Sequence, residues 1–228
     1  MTSGAPRAAG PSAATPESYF WPLVCLAAVI LPQVLVPSRL RLGPPSAVPI
    51  IEGTVLLVLL ALAARRGPVP RGARPLVLSL FGLLILANTA EAARLVVVVL
   101  RGHPEGGSAP TVTQLLVAAT ILLSTNVVTF GLMYWQLDGG GPAGRLARPE
   151  PYPDFQFPQT GSEGLSPPGW QPVFADHLYV SYTNLVAFSP ADAQPLTVRA
   201  KGLMTVQSLI SVGVLVVVLA RVINVLPS

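Results

Sequence analysis

The chain has very little charge. Of its 228 residues only 11% are Asp, Glu, Lys or Arg, whereas a soluble domain carries about 25%. A water-facing surface for a protein of this size cannot be built from so few charged groups, so a soluble globular domain is excluded. Cysteine is nearly absent too. Cys25 stands alone inside an apolar block, so no disulfide can form within the chain and the thiol reads as a packing group. The two histidines, His103 and His177, have no spacing with Cys, Asp or Glu that suits a metal site. Gly139-Gly140-Gly141 lacks both the preceding strand and the Lys of a phosphate-binding loop. No catalytic constellation, cofactor or metal is therefore expected, and the chain does not read as an enzyme. Asp138, Asp154, Asp176 and His177 could meet at a loop surface, but nothing in their spacing brings them together.

Apolar residues make up 51% of the chain, and the mean hydropathy is +0.61. They are gathered in blocks rather than spread over one core, which points to a bilayer as the solvent. The net charge of +4 does not indicate nucleic acid, because the basic residues sit mostly in short connectors, where they set membrane topology. Lys201 is the only lysine among 14 basic residues. With 25 prolines and 20 glycines, this usage fits a high-GC bacterial genome.

Residues 1–18, rich in Ala, Gly, Ser, Pro and Thr, form a tail expected to be disordered. The tail has no secretory cleavage pattern, so the apolar block behind it is expected to be retained. Residues 19–137 read as a four-helix membrane block, each crossing needing about 20 apolar residues. The first crossing starts at Tyr19 and Trp21, an interfacial aromatic pair, and Pro32 is placed to kink its far end. The second runs from about Ala47 to Ala64, with Glu52 near an interface where water reaches it. The third, about Leu76 to Leu100, carries Asn88, Glu91 and Arg94. Glu91 and Arg94 are three apart and share a face with Asn88. Ionisable groups at membrane depth are either functional or a polar glue between helices, and the ion-pair glue is the preferred reading. The fourth crossing, about Val112 to Leu137, contains Asn126 and ends in Tyr134-Trp135. Residues 138–173 are a Gly/Pro-rich extramembrane loop. The last part, 174–228, holds a half-apolar segment followed by a final crossing that includes Arg221 and Asn224.

The stretch Phe174–Thr197 reads FADHLYVSYTNLVAFSPADAQPLT. It resembles the pore module of tetrameric potassium channels, which have a short pore helix, a filter, an Asp, a Pro-Leu-Thr corner and an inner helix. Tyr179-Val180-Ser181-Tyr182 stands where the pore helix opens, Asp192 where the Asp follows the filter, and Pro195-Leu196-Thr197 on the corner. The filter departs from that pattern: Val186-Ala187-Phe188-Ser189-Pro190-Ala191 has neither filter glycine. Selectivity there depends on backbone carbonyls aimed at the pore, which glycine permits and Pro190 opposes. Ordinary potassium conduction is therefore not expected. The resemblance implies a loop lined by Thr183, Asn184, Val186, Ala187, Phe188, Ser189, Pro190, Ala191 and Asp192, and a homotetramer if the protein is channel-like. Over nearly its whole length the chain is similar to a family of uncharacterised actinobacterial multi-pass membrane proteins. The residues behind that similarity are Leu137-Asp138-Gly139-Gly140-Gly141-Pro142, Pro153 to Gln159, and Thr183 to Pro190.

The expected fold is an all-α integral membrane protein of the plasma membrane, with about five transmembrane helices and a re-entrant pore-loop-like segment before the last. The segment 174–197 could instead pack as a non-conducting helix or cross as a sixth span. A cytoplasmic N-terminus collects more arginine on the inside, while channel topology requires an external one. The lipid bilayer is the expected partner, and a non-conducting scaffold or accessory subunit is the alternative to a channel-like protein.

Overall fold

A computed structural model describes residues 17–35, 47–64, 73–101, 110–146, 152–160, 164, 166–186 and 193–225. The described residues are almost entirely helical: α1 (Phe20–Ile30), α2 (Ala47–Ala63), α3 (Ala73–Arg101), α4 (Val112–Leu137), a short α5 (Gly141–Arg145), α6 (Phe174–Val186) and α7 (Val198–Val225). Two residue pairs, β1 (Phe155–Gln156) and β2 (Gln194–Pro195), form a minimal antiparallel ladder, with Phe155 opposite Pro195 and Gln156 opposite Gln194. Three helices (α3, α4 with its extension, and α7) are long and apolar enough to cross a membrane, and α1 and α2 are shorter apolar helices. Pro32 acts as its chemistry dictates. The α-helix gives way to a tighter 3₁₀ turn over Leu31–Leu35, because the proline ring and missing N–H cannot continue the α ladder.

The bundle is organised around α4, which packs against α1, α3, α6 and α7. Its residues from Val128 to Leu137 are buried all round, which in a membrane protein marks a helix enclosed by other helices rather than by lipid. Leu26, Phe81, Leu95, Leu115, Phe130, Leu132 and Val214 belong to one continuous apolar core. The outer faces stay apolar as well. Leu86 on α3 and Leu209, Val216 and Ile223 on α7 are each at least 60% exposed, an unfavourable surface in water and an ordinary one in hydrocarbon. Thr111 starts α4 with a reciprocal capping box to Gln114, satisfying two otherwise orphaned donors.

α6 has 13 residues, about 20 Å of helix against a hydrocarbon core of about 30 Å, so it is too short to cross. It runs antiparallel to α4: Leu178 lies against Gly131, and Ser181 Oγ donates to the Val127 carbonyl at 2.7 Å. The chain is then back beside Phe155 at β2 before α7 begins. The segment therefore enters and leaves at one end of the bundle. That is re-entrant connectivity, and it removes the reading in which α6 itself is a sixth span.

Close approach of α4 and α6 depends on Gly131. A Cβ there would sit 3.1 Å from Leu178 Cδ1 and 3.2 Å from Leu178 Cα, so backbone as well as side chain is in the way. Gly131→Leu is expected to push the helices apart and destabilise the protein by about 1–3 kcal/mol, the usual range for overpacking. Gly82→Leu, at a position where a Cβ meets nothing within 4 Å, should be tolerated. Thermal unfolding of both variants in detergent checks the pair.

Candidate functional site

Two polar assemblies hold the C-terminal half together. The first lies at the end of the bundle where α4 stops. Gly139, Gly140 and Gly141 all have positive φ, at 55°, 82° and 78°, a backbone path that L side chains rarely take. This turn ends α4 and folds α5 back beneath it. Arg145 of α5 is buried, and its Nη1 donates to the carbonyls of Trp135 at 3.1 Å and Asp138 at 2.9 Å. Carbonyls at a helix C-terminus have no intrahelical partner and carry the negative end of the dipole, so a guanidinium meets both needs. Arg145 Nη2 also reaches Glu17 Oε2 at 3.2 Å. Glu17 in turn accepts from Trp135 Nε1 at 2.7 Å and from the backbone N–H of Phe174. One carboxylate just ahead of α1 thus ties α1, α4, α5 and the start of α6 into a clasp.

Asp138 is the second carboxylate of the clasp and is 1% exposed. Its Oδ1 accepts from the backbone N–H of Asp154 at 2.7 Å and of Phe155 at 3.1 Å, and its Oδ2 lies 3.0 Å from His177 Nε2. His177 Nδ1 is 2.9 Å from the Val173 carbonyl. Both ring nitrogens are thus engaged. Asp154, the third carboxylate, is fully buried. Its Oδ1 accepts from Thr197 Oγ1 at 2.6 Å and Arg199 Nε at 2.7 Å, and its Oδ2 from Arg199 Nη2 at 2.7 Å, the forked geometry that suits a guanidinium. Phe155 and Phe157 stand edge-on to His177, and Trp170 to Phe157, which closes the dyad to solvent. The loop residues Asp138, Asp154 and His177 thus do meet. Asp176 does not join them and instead caps the start of α6 by accepting from the Val173 N–H at 2.7 Å. Both ring nitrogens of His177 are engaged, and the ring is fully buried. Among the described residues, no three His, Cys, Asp or Glu side chains converge as a metal set.

The second assembly lies deeper, where α4, α6 and α7 meet. Gln207 is completely buried. Its Oε1 accepts from Tyr134 Oη at 2.7 Å and Asn184 Nδ2 at 2.9 Å. Its Nε2 donates to Ser181 O at 3.0 Å and Ser181 Oγ at 2.7 Å. Asn184 also donates to the Met204 carbonyl at 3.1 Å and accepts from Ser208 at 3.2 Å. Of the residues assigned to the loop lining, Asn184 is therefore committed to α7, Thr183 bonds back to the carbonyls of Tyr179 and Val180, and Val186 is exposed at the end of α6. Ala187, Phe188, Ser189, Pro190, Ala191 and Asp192 lie outside the described residues.

The third helix carries the remaining predicted polar group. Asn88 is buried at 3% exposure, and neither atom of its amide has a hydrogen-bond partner among the described residues. The same holds for Asn126 on α4. Glu91 and Arg94 are half-buried on α3. Glu52 departs from expectation. It is not solvated at an interface but completely buried, with Gln33 Nε2 2.6 Å from each carboxylate oxygen. The fold of α1 over α2 covers it, which its place in the sequence did not disclose.

No family model, curated protein or solved structure matches this chain.

The clasp makes an ordered prediction. Asp138→Ala leaves two buried backbone donors and His177 facing a hole, and should cost about 1–3 kcal/mol for each donor left unsatisfied. Asp138→Asn keeps an acceptor for the two N–H groups and offers its amide to a neutral His177, so it should cost less than half as much. Equilibrium unfolding in detergent measures both, and the reverse order would refute this account of the clasp.

Proposed function

We propose that this is a channel-like membrane protein in which α6 supports the loop 187–192 at the axis of a homo-oligomer. The observation that carries the reading is the re-entrant path. A helix too short to cross is held between α4 and α7, and the chain that leads into it and the chain at β2 both lie at the clasp end of the bundle. Irregular backbone at membrane depth is tolerated where protein buries it or water reaches it, and a supported re-entrant loop meets that condition. The similarity of Phe174–Thr197 to a pore module adds the Asp after the loop and the Pro-Leu-Thr corner. The missing filter glycines argue for a pore unlike the potassium filter, with Ser189 and Asp192 as its polar groups.

A second reading is a non-conducting membrane subunit, and one observation favours it. Arg74 and Arg145 both donate to carbonyls at the C-terminal end of α4, so these two arginines lie on the clasp side. The positive-inside rule would make that side cytoplasmic, whereas a pore loop of the potassium type opens to the exterior.

Purified protein in nanodiscs and liposomes separates the two. The channel-like reading expects a tetramer and an ion flux that Asp192→Ala or Ser189→Ala reduces at least about tenfold, equivalent to about 1.4 kcal/mol in the permeation barrier. A folded monomer or dimer with no flux under several cations and voltages would overturn it in favour of the second reading.

A further inference from the structure

Among the described residues, three carboxyl groups are at most 1% exposed: Asp138, Asp154 and Glu52. They are not satisfied alike. Asp138 meets two backbone N–H groups and His177. Asp154 meets the Thr197 hydroxyl and two nitrogens of the Arg199 guanidinium. Several fixed donors, or a cation, are what an ionised carboxylate needs once water is gone. Glu52 has neither. Its hydrogen-bond partner is Gln33, in the 3₁₀ turn after α1, whose Nε2 stands 2.6 Å from each carboxylate oxygen. The helices packed on α2 are α1 and α3. The first side offers this neutral amide, and from α3 the charge that acts on Glu52 is the Glu91 carboxylate, of the same sign. No Arg, Lys or His among the described residues pairs with Glu52.

We infer that Glu52 is a proton-binding site, held against Gln33 as the neutral acid at neutral pH. Taking up a proton from water forms an O–H bond on one carboxylate oxygen. It cancels a charge that neither neighbouring helix balances. Glutamine suits both forms of its partner. Its Nε2 donates to the carboxylate, and turning the amide about its last side-chain bond puts Oε1 in that place to accept the O–H of the acid. Arginine or lysine, which only donate, would hold the charged form alone. The Glu52–Gln33 pair can therefore load and release a proton while keeping its contact, which the carboxylates of the clasp cannot do. A hard metal cation is the other ligand a buried carboxylate could take. Such an ion collects several oxygen ligands, whereas both oxygens of Glu52 face the same amide nitrogen. The site is independent of whether the loop beyond α6 conducts.

Infrared difference spectroscopy of the full-length protein in nanodiscs at neutral pH tests the inference. The parent minus Glu52→Gln spectrum should show the carbonyl stretch of one protonated carboxyl group, moved by heavy water, and no carboxylate bands. The parent minus Asp138→Asn spectrum should show carboxylate bands instead, since Asp138 has the donors that Glu52 lacks. If Glu52→Gln does not fold, protein made with isotopically labelled glutamate carboxyls repeats the test. There the protonated stretch should carry the label and should rise in frequency in Gln33→Leu, where the acid loses its amide partner. Carboxylate bands in place of the carbonyl stretch, or a carbonyl stretch that survives Glu52→Gln, would overturn the inference. In the labelled protein, a stretch indifferent to Gln33→Leu would do the same. A Glu52 carboxylate band that moves when sodium replaces potassium would overturn it in favour of a bound metal cation.

Discussion

A carboxylate taken out of water costs several kcal/mol unless its lone pairs are met by donors fixed in place. Asp138 is in that position, and the way it is satisfied determines how the C-terminal half is built. Two of its donors are consecutive backbone N–H groups of Asp154 and Phe155, so β1 must lie against the end of α4. Its third neighbour is His177, so the first turn of α6 must lie there too. Asp154, held by its own N–H, presents its carboxylate to Thr197 and Arg199, which fixes where α7 starts. One residue at a helix end thus sets the positions of three elements separated from it by 16 to 61 positions in sequence. The three positive-φ glycines make this possible, since they turn the chain sharply enough for Arg145 to return and cover the α4 carbonyls.

The second polar assembly does between α4, α6 and α7 what the clasp does at the bundle end. Polar side chains between helices in lipid contribute hydrogen bonds of modest strength, averaging about 0.6 kcal/mol where measured. Their larger effect is on specificity, because an amide placed out of register would be left unbonded in a medium without water. Gln207 engages both halves of its amide across two other helices, so sliding α6 by one turn would break its three contacts to Ser181 and Asn184 at once. The register of the short helix is fixed by that penalty and by the contact of Leu178 with Gly131.

Much of the fold was legible from composition and breaks alone. Apolar blocks bounded by Pro, Gly and Arg gave the helices, Pro32 marked the 3₁₀ end of the first, and the mixed polarity of Phe174–Val186 separated α6 from the crossing helices. Re-entrance was legible only as a resemblance. The clasp was half visible, because Asp138, Asp154 and His177 stand out in a chain with so little charge. Their meeting depends on glycine dihedrals and long-range pairing, which carry no local periodic signal. Glu17 and Arg145 were missed for a similar reason. Glu17 sits at the edge of a low-complexity tail, and Arg145 lies among basic residues that look like topology signals. The burial of Glu52 was hidden because a helix start near an interface says nothing about which neighbour folds over it.

The two halves of the bundle treat buried polarity in opposite ways. In α4, α6 and α7 the amides and hydroxyls around Gln207 find partners within the chain, so this half is pre-organised. In α3 and the middle of α4, the amides of Asn88 and Asn126 are buried with no partner among the described residues, and a buried amide left unbonded costs about 1–3 kcal/mol by mutational measures. A rigid half and a half with unmet polarity serve different ends. The first half holds the short helix α6 in one register against α4 and α7. In the other, the amides of Asn88 and Asn126 gain from any water or neighbouring helix that offers them a hydrogen bond.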